Sequence, residues 1–492
     1  MADYKILTFK GFFWNHISKL AEYGLTYIFG ILLARNLGAT QYSIYVTLMS
    51  LSSFCIIFGG LGLDETLNKY VPRISIEKGN STTNYLVKKL LRYRVLALIL
   101  ITFLIFSFRN QIAHVIGIKN FGLYLIVLSF YVFLQSLVNY FSNFFIAQLK
   151  THIVLVINLI TKFMTLGIGI YLLATGHDLN SIIFLLAIIS VLTIILYLGS
   201  GGYKFIFAKM AKVEIKEPLS FGITTWGNML LTFMLGKNSN IIILSLIIGN
   251  LKQIGFYEIA FSFTQLIEYV FAVGFTGVAL SSFSSLAVTD YEKLKDLRTL
   301  LIKYFQIIIF PVSMYVLINA EFIIRLIYSD QYIPSIFLLR IFLVFNIISV
   351  SFLGSGSNTA VLFAIGKEKI VLIIRLITGL LNIILILLIV PSYGIIAAII
   401  ITGACLLISV TFEFLSAGKL IGWKYDYIFL MKIVLVCFVA LGISIVLGKY
   451  VSQNHFINMA VYTFIILLGY HILKIVDLRF KNIMSQIQMV MQ

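Results

Sequence analysis

Ile370-Val-Leu-Ile-Ile-Arg-Leu-Ile-Thr-Gly-Leu-Leu-Asn-Ile-Ile-Leu-Ile-Leu-Leu-Ile-Val-Pro391 contains one charge, Arg375. At 1.5 Å rise per residue such a run crosses the hydrocarbon core of a bilayer. Lipid offers no partner to backbone N–H and C=O groups, so the run must be a helix. Pro391-Ser-Tyr-Gly394 then interrupts it, and a second apolar run follows directly. Working outward on the same criterion gives about fourteen spans, at roughly 12–36, 42–63, 85–108, 121–148, 152–175, 181–203, 219–249, 255–287, 305–328, 336–366, 370–391, 394–417, 428–448 and 456–474. Hydrophobic residues make up 60% of the 492, and charged residues 11%. Mean hydropathy is +1.03. These values exclude a soluble globular protein. The expected fold class is all-α, a polytopic membrane protein.

The formal charge of +18 is explained by topology. With the N-terminus in the cytoplasm, the inner loops and tails collect roughly 25 Lys and Arg and the outer side about 5. The richest inner stretch holds Lys69, Arg73, Lys78, Lys88, Lys89, Arg92 and Arg94, followed by Lys204, Lys209, Lys212 and Lys216, and by Lys293, Lys295, Arg298 and Lys303. The outer loops near His177, Gln331 and Ser392 carry no Lys or Arg at their tips. Both termini are therefore expected in the cytoplasm, with the basic loops against anionic lipid headgroups. No basic soluble domain is available to bind nucleic acid. Cys55, Cys405 and Cys437 lie in apolar runs and read as small buried hydrophobes. The first apolar run carries Lys19 and Glu22, lacks a cleavage pattern, and reads as a retained span. Asn80-Ser-Thr82 matches a glycosylation sequon but falls on the cytoplasmic side.

No loop exceeds roughly 20 residues, which leaves no room for an extramembrane active site. The basic linker Lys209–Pro218 divides six spans from the next six. A faint repeat supports that division. Gly38-Ala-Thr-Gln41-Tyr-Ser-Ile-Tyr45 follows the first span, and Gly249-Asn-Leu-Lys-Gln253-Ile-Gly-Phe-Tyr257 follows the seventh. Leu159-Ile-Thr161 is echoed by Leu376-Ile-Thr378, at an offset of roughly 215 residues. The expected organisation is a lobe over residues 1–210, a pseudo-symmetric lobe over 211–418, and two appended helices with a cytoplasmic tail over 419–492. Six spans is an even number, so the lobes run parallel, which suits alternating access around a central cavity.

Charges inside spans are costly and point to function by default. Arg375, Lys432 and Glu413, and Arg325, Arg340 and Glu258, sit near span ends, where snorkelling or pairing accounts for them; Glu321 and Arg325 are spaced to pair. Lys19, Glu22, Lys162, Lys237 and Glu268 lie at least two turns inside. Asn15, Lys19, Glu22 and Thr26 share one face of the first span, with His16 beside it. Asn158, Lys162 and Thr165 form a stripe in the fifth. Thr225, Asn228, Thr232 and Ser239 do so in the seventh, and Ser262, Gln265 and Glu268 in the eighth. Interhelical hydrogen bonding is the plain explanation for the hydroxyls and amides. The lysines point instead to a wet cavity with a cationic lining, suited to an anionic ligand and above all a phosphate. Lys19, Lys237, Lys162 and Asn228 are the expected substrate-binding residues. No Walker sequence and no metal-ligand spacing is present, so no cofactor, metal or catalytic residue is expected and the chain reads as a non-enzyme.

Ala34-Arg-Asn-Leu-Gly38 with Tyr42 and Tyr45 begins an ordered set of weak signatures. Gly60-Leu-Gly-Leu63 running into Lys69-Tyr-Val-Pro-Arg73 continues it, then Ile248-Gly249 through Gly255-Phe-Tyr257-Glu-Ile-Ala260, and Val390-Pro391-Ser-Tyr-Gly394-Ile-Ile-Ala-Ala398. Through these the chain resembles the polysaccharide-transporter branch of the multidrug/oligosaccharidyl-lipid/polysaccharide exporter superfamily, and within it the Wzx-type flippases of O-antigen and exopolysaccharide repeat units, over nearly its whole length. The resemblance implies two six-helix lobes and fourteen spans. It implies export of an undecaprenyl-diphosphate-linked oligosaccharide across the bacterial inner membrane by alternating access. It also implies cavity cations, best matched by Lys19 and Lys237, and coupling to a proton or sodium gradient, for which Glu22 and then Glu268 are the candidate carboxylates. Membrane lipids and other glycan-assembly membrane proteins are the implied partners. Lysines stand where many relatives carry arginine. A drug/cation antiporter and a lipid II flippase of the same superfamily are the competing readings, with a polytopic glycan polymerase or ligase further off because the outer loops are short.

Overall fold

The computed structural model describes the backbone of residues 2–118, 121–203, 211, 213–450 and 454–475, and the side chains of these except 2–19, 271–278, 281 and 448–450. The described residues are almost entirely helical. The helices are α1 (Ala2–Gly60), α2 (Leu63–Lys78), α3 (Asn80–Ile116), α4 (Phe121–Ala147), α5 (Thr151–Ala174), α6 (Leu179–Tyr197), α7 (Lys216–Met234) and α8 (Lys237–Ile247). They continue as α9 (Lys252–Thr289), α10 (Tyr291–Ile318), α11 (Ala320–Ile327), α12 (Pro334–Asn346), α13 (Ser355–Ala364), α14 (Glu368–Ile421), α15 (Tyr427–Tyr450) and α16 (His455–Ile472).

Ten described helices are long and apolar enough to cross a membrane, or eleven with α7 and α8 taken as one span bent by 56°. The two longest, α1 and α14, are long enough for two crossings, and each breaks at a glycine. Gly38 has φ 76° and ψ 164° inside α1, and Gly394 has φ 70° and ψ −161° inside α14, just after Pro391. Both glycines hold a backbone conformation that a side chain would strain. With α1 and α14 each counted as two, these helices cover thirteen of the fourteen expected segments, and residues 255–287 fall on α9, which is not among them.

The chain forms two compact units, Met1–Gly255 with Ile386–Pro391, and Phe256–Leu385 with Ser392–Gln492. The first unit runs to Gly255, and within it α7 and α8 pack on α1 and α2. Trp226 Nε1 donates to the Ile57 carbonyl at 3.1 Å, and Tyr70 Oη to Glu217 at 3.0 Å. Gly62 meets Gly222 so closely that a Cβ on Gly62 would stand 2.0 Å from the Gly222 carbonyl oxygen. The Gly255 N–H donates to Ser43 Oγ at 2.9 Å, so corresponding positions of the two Gln-x-x-x-Tyr motifs touch.

The first unit has its main apolar core where α2, α3, α4 and α6 meet, around Leu67, Leu90, Phe141, Phe145 and Tyr197. Arg94 is fully buried among them and bonded to Asp64, the Gly60 carbonyl and Ser136. In the second unit α15 and α16 pack on α10 around Phe310, Tyr315, Val436 and Tyr470. Pro311 has no N–H to give the Ile307 carbonyl one turn back, and Tyr470 Oη donates to that carbonyl instead at 2.8 Å. Tyr462 Oη likewise donates to the Pro311 carbonyl at 2.9 Å. Arg298 is fully buried in this unit, donating to Asn358 and stacked 4.2 Å from the Trp423 ring.

Candidate functional site: a polar cavity in the first unit

Helices α1, α4, α5 and α6 enclose a cavity of about 470 Å³. Its polar lining follows from helical spacing. On α5, Asn158, Thr161 or Lys162, and Thr165 recur at three or four residues and so face one way. Gln135, Asn139, and Ser142 or Asn143 do the same on α4, Ser190 and Thr193 on α6, and Glu22 and Thr26 on α1. Phe29, Tyr45 and Tyr131 supply aromatic surface.

The amides hold one another in place. Ser190 Oγ donates to Gln135 Oε1 at 3.1 Å, and Gln135 Nε2 to Asn139 Oδ1 at 3.2 Å. Asn68 on α2 donates to Asn143 at 3.0 Å from behind the wall, and Asn158 Nδ2 donates to Glu22 Oε2 at 3.3 Å. Thr26, Thr161, Thr165 and Thr193 each donate to a carbonyl one turn back on their own helix, so their oxygens remain as acceptors. Lys162 is half-buried at the wall, and among the described residues neither it nor Glu22 forms an ion pair. One ammonium, one carboxylate, four amides and a field of hydroxyls can therefore contact a ligand rich in hydroxyls that carries a charge. Among the described residues no group of three His, Cys, Asp or Glu could hold a metal. Cys55, Cys405 and Cys437 are free and buried.

Of the residues singled out from sequence, Glu22 and Lys162 come together here, with Asn158 and Thr165 beside them. Lys237 lies elsewhere in the same unit, as the first residue of α8 after the bend at Leu235-Gly236, next to Asn238, which accepts from Ser50. Asn228 sits on α7 with its Oδ1 buried and no hydrogen-bond partner among the described residues. Glu268 belongs to the second unit, where Asn346 donates to it. The Lys19 side chain lies outside the described residues, although its backbone is helical. Among the charges near span ends, Arg375 pairs with Glu413 at 3.3 Å and Arg325 with Glu321 at 3.0 Å. Sequence reasoning did not single out Gln135, Asn139, Asn143, Ser190 or Thr193. The spacing that exposed the α5 stripe is present on α4, but without a charge to draw notice.

Residues 32–337 match the family model described as polysaccharide biosynthesis protein. Over 99% of both chains, the protein is 25% identical to an uncharacterized membrane protein of Methanocaldococcus jannaschii. Among solved structures it is similar to the lipid II flippase MurJ in an inward closed conformation, with TM-score 0.71 and 17% identity over 96% of this chain and 99% of that one. An inward-facing multidrug resistance MATE family transporter of the MOP superfamily aligns with TM-score 0.67 and 15% identity, over 82% and 94%. A MOP superfamily transporter from Pyrococcus furiosus aligns with TM-score 0.56 and 14% identity, over 84% and 96%. At these identities the structural likeness establishes the fold.

Proposed function

The chain belongs to the polysaccharide biosynthesis family and has the fold of multi-pass flippases and exporters, and from this premise we propose that it moves an undecaprenyl-diphosphate-linked oligosaccharide from the inner to the outer leaflet of the membrane. The observation that carries the proposal is the lining of the cavity in the first unit, where amides and hydroxyls surround a half-buried lysine that has no acidic partner among the described residues. Sugar hydroxyls exchange hydrogen bonds with the amides and threonine oxygens, and Lys162 meets a phosphate or an acidic sugar. Lys19, Lys237 and Asn228 are retained as proposed substrate contacts.

Glu22 is the proposed ion-coupling carboxylate, with Glu268 second. An intramembrane acid loses or gains a proton or cation as its surroundings are desolvated, and a difference in that affinity between two states lets a gradient drive the cycle. The proposed setting is the bacterial inner membrane with both termini cytoplasmic, alongside other glycan-assembly proteins.

The test is transport of a lipid-linked oligosaccharide in proteoliposomes. Lys162→Ala should weaken apparent substrate affinity about 10- to 150-fold, the worth of one charge-assisted hydrogen bond, and Lys162→Arg should keep part of it. Glu22→Gln should bind substrate but lose dependence on the gradient. Wild-type transport by Lys162→Ala would remove the cavity from the mechanism. Movement of cationic dyes with no movement of the lipid-linked glycan would favour the drug/cation antiporter instead.

A further inference from the structure

A second cavity of about 580 Å³ lies in the first unit, on the outside of the bundle and away from the polar site. It runs between α3 and α7, and its lining is almost wholly apolar. Tyr93, Leu96, Ala97 and Leu100 form one wall at three- and four-residue spacing along α3, and Leu219, Ile223 and Trp226 form the other along α7. Leu96, Leu100 and Ile223 are 58–63% exposed, so the groove opens toward lipid.

Each wall begins with a lysine one turn below the apolar stripe. On α3 it is Lys89, whose Nζ lies 5.5 Å from the centre of the Tyr93 ring at the foot of the groove. On α7 it is Lys216, the exposed first residue of the helix, three positions before Leu219. Both lysines stand at the same end of the groove, since Tyr93 and Leu219, one turn above them on α3 and α7, line it together. The adjacent acid, Glu217, is occupied by Tyr70 Oη at 3.0 Å and Arg73 Nη1 at 3.1 Å, so it does not neutralise the pair.

We propose that this groove is a binding site for one anionic membrane phospholipid, its phosphate held between Lys89 and Lys216 and a hydrocarbon chain laid along Tyr93–Leu100 and Leu219–Trp226. Charge and polarity change along the groove in the same order as along such a lipid. The two lysines belong to the basic end of the unit, which the distribution of Lys and Arg assigns to the cytoplasmic leaflet, where anionic lipids concentrate. The site is separate from the transport cavity and does not depend on the identity of the transported molecule.

The test uses the full chain in detergent, titrated with phosphatidylglycerol or phosphatidylcholine and read by native mass spectrometry. Phosphatidylglycerol should be retained at one per chain, and more tightly than phosphatidylcholine. The Lys89→Gln/Lys216→Gln variant should bind it about 30-fold more weakly, from about 1 kcal/mol per surface lysine, and should lose the preference between the two lipids. Ala97→Trp fills the groove and should abolish retention of both lipids while the lysines remain, which keeps the proposal testable if the double variant does not fold. Equal retention of the two lipids, or retention unaffected by either variant, would overturn the proposal. Displacement of phosphatidylglycerol by a lower concentration of polyprenyl phosphate would also overturn it, by assigning the groove to a polyprenyl lipid.

Discussion

Replacing Arg94 by Ala should destabilise the first unit by about 3–5 kcal/mol, the usual cost of removing one partner from a buried ion pair. The side chain is fully buried and its guanidinium makes five hydrogen bonds. Nε donates to Ser136 Oγ at 2.9 Å, Nη1 to the Gly60 carbonyl at 3.1 Å, and Nη2 to the Ser136 carbonyl at 3.0 Å. Nη1 and Nη2 both reach Asp64 Oδ2 at 3.2 Å. Alanine would strand the Asp64 carboxylate, which is 21% exposed and whose other oxygen already has no hydrogen-bond partner among the described residues. It would also take from the Gly60 carbonyl, at the end of α1, the N–H it accepts from. At about 2 °C per kcal/mol for a unit of this size, the midpoint of thermal unfolding should fall by about 6–10 °C. Size-exclusion chromatography of heated, detergent-solubilised protein reads this directly. Lysine carries three N–H donors on one nitrogen and cannot reproduce the guanidinium's five bonds to four acceptors, so Arg94→Lys should recover only part of the loss. Asp64→Asn should cost less than Arg94→Ala, and the double variant should cost less than the sum of the two, because each leaves the same pair broken. An Arg94→Ala midpoint within about 2 °C of wild type, or strictly additive losses, would refute the reasoning.

Gly62→Ala should destabilise by at least about 2 kcal/mol, because Gly62 has φ +66° and its new Cβ would stand 2.0 Å from a backbone oxygen; a wild-type melting profile would contradict the α2–α7 crossing. Cysteine labelling after Lys78 and after His177 should occur from opposite sides of the membrane, and labelling of both from outside would refute this topology. Asp290 caps α10, and the Lys293 N–H it accepts from, together with the Lys293 ammonium, holds its carboxyl below the ordinary aspartate value. The folded state thus favours the ionised form, so the cap's contribution is present above the ordinary aspartate range and declines as pH falls through and below it. Asp290→Asn should lower the melting midpoint at pH 7 and shrink the difference from wild type at pH 3. A constant difference across that range would remove the charge from the account.

The apolar runs, the glycine breaks and the basic loops were legible in the sequence because each is a local demand. A bilayer requires about 20 apolar residues per crossing, glycine is the residue freest to take the positive φ at which α1 and α14 break, and loop lysines follow a leaflet bias. The α5 stripe and the mid-span Glu22 were legible for the same reason, since a helix sets which residues share its face. Which faces meet is a different kind of fact. The packing of α1 against α4, α5 and α6 decides that Glu22 and Lys162 line one cavity while Lys237, on α8 of the same unit, does not. It also decides that uncharged residues of α4, unremarkable as sequence, supply three of the cavity's four amides, and that α6 adds two hydroxyls. Arg94 reads from sequence as one more cation of a basic loop, yet the fold buries it completely against Asp64, and residues of α3 and α7, distant in the chain, line one groove. Helical spacing fixes the partners a residue has within its own helix. Contacts between helices depend on how side chains far apart in the chain fill space together, and that is settled only in the folded protein.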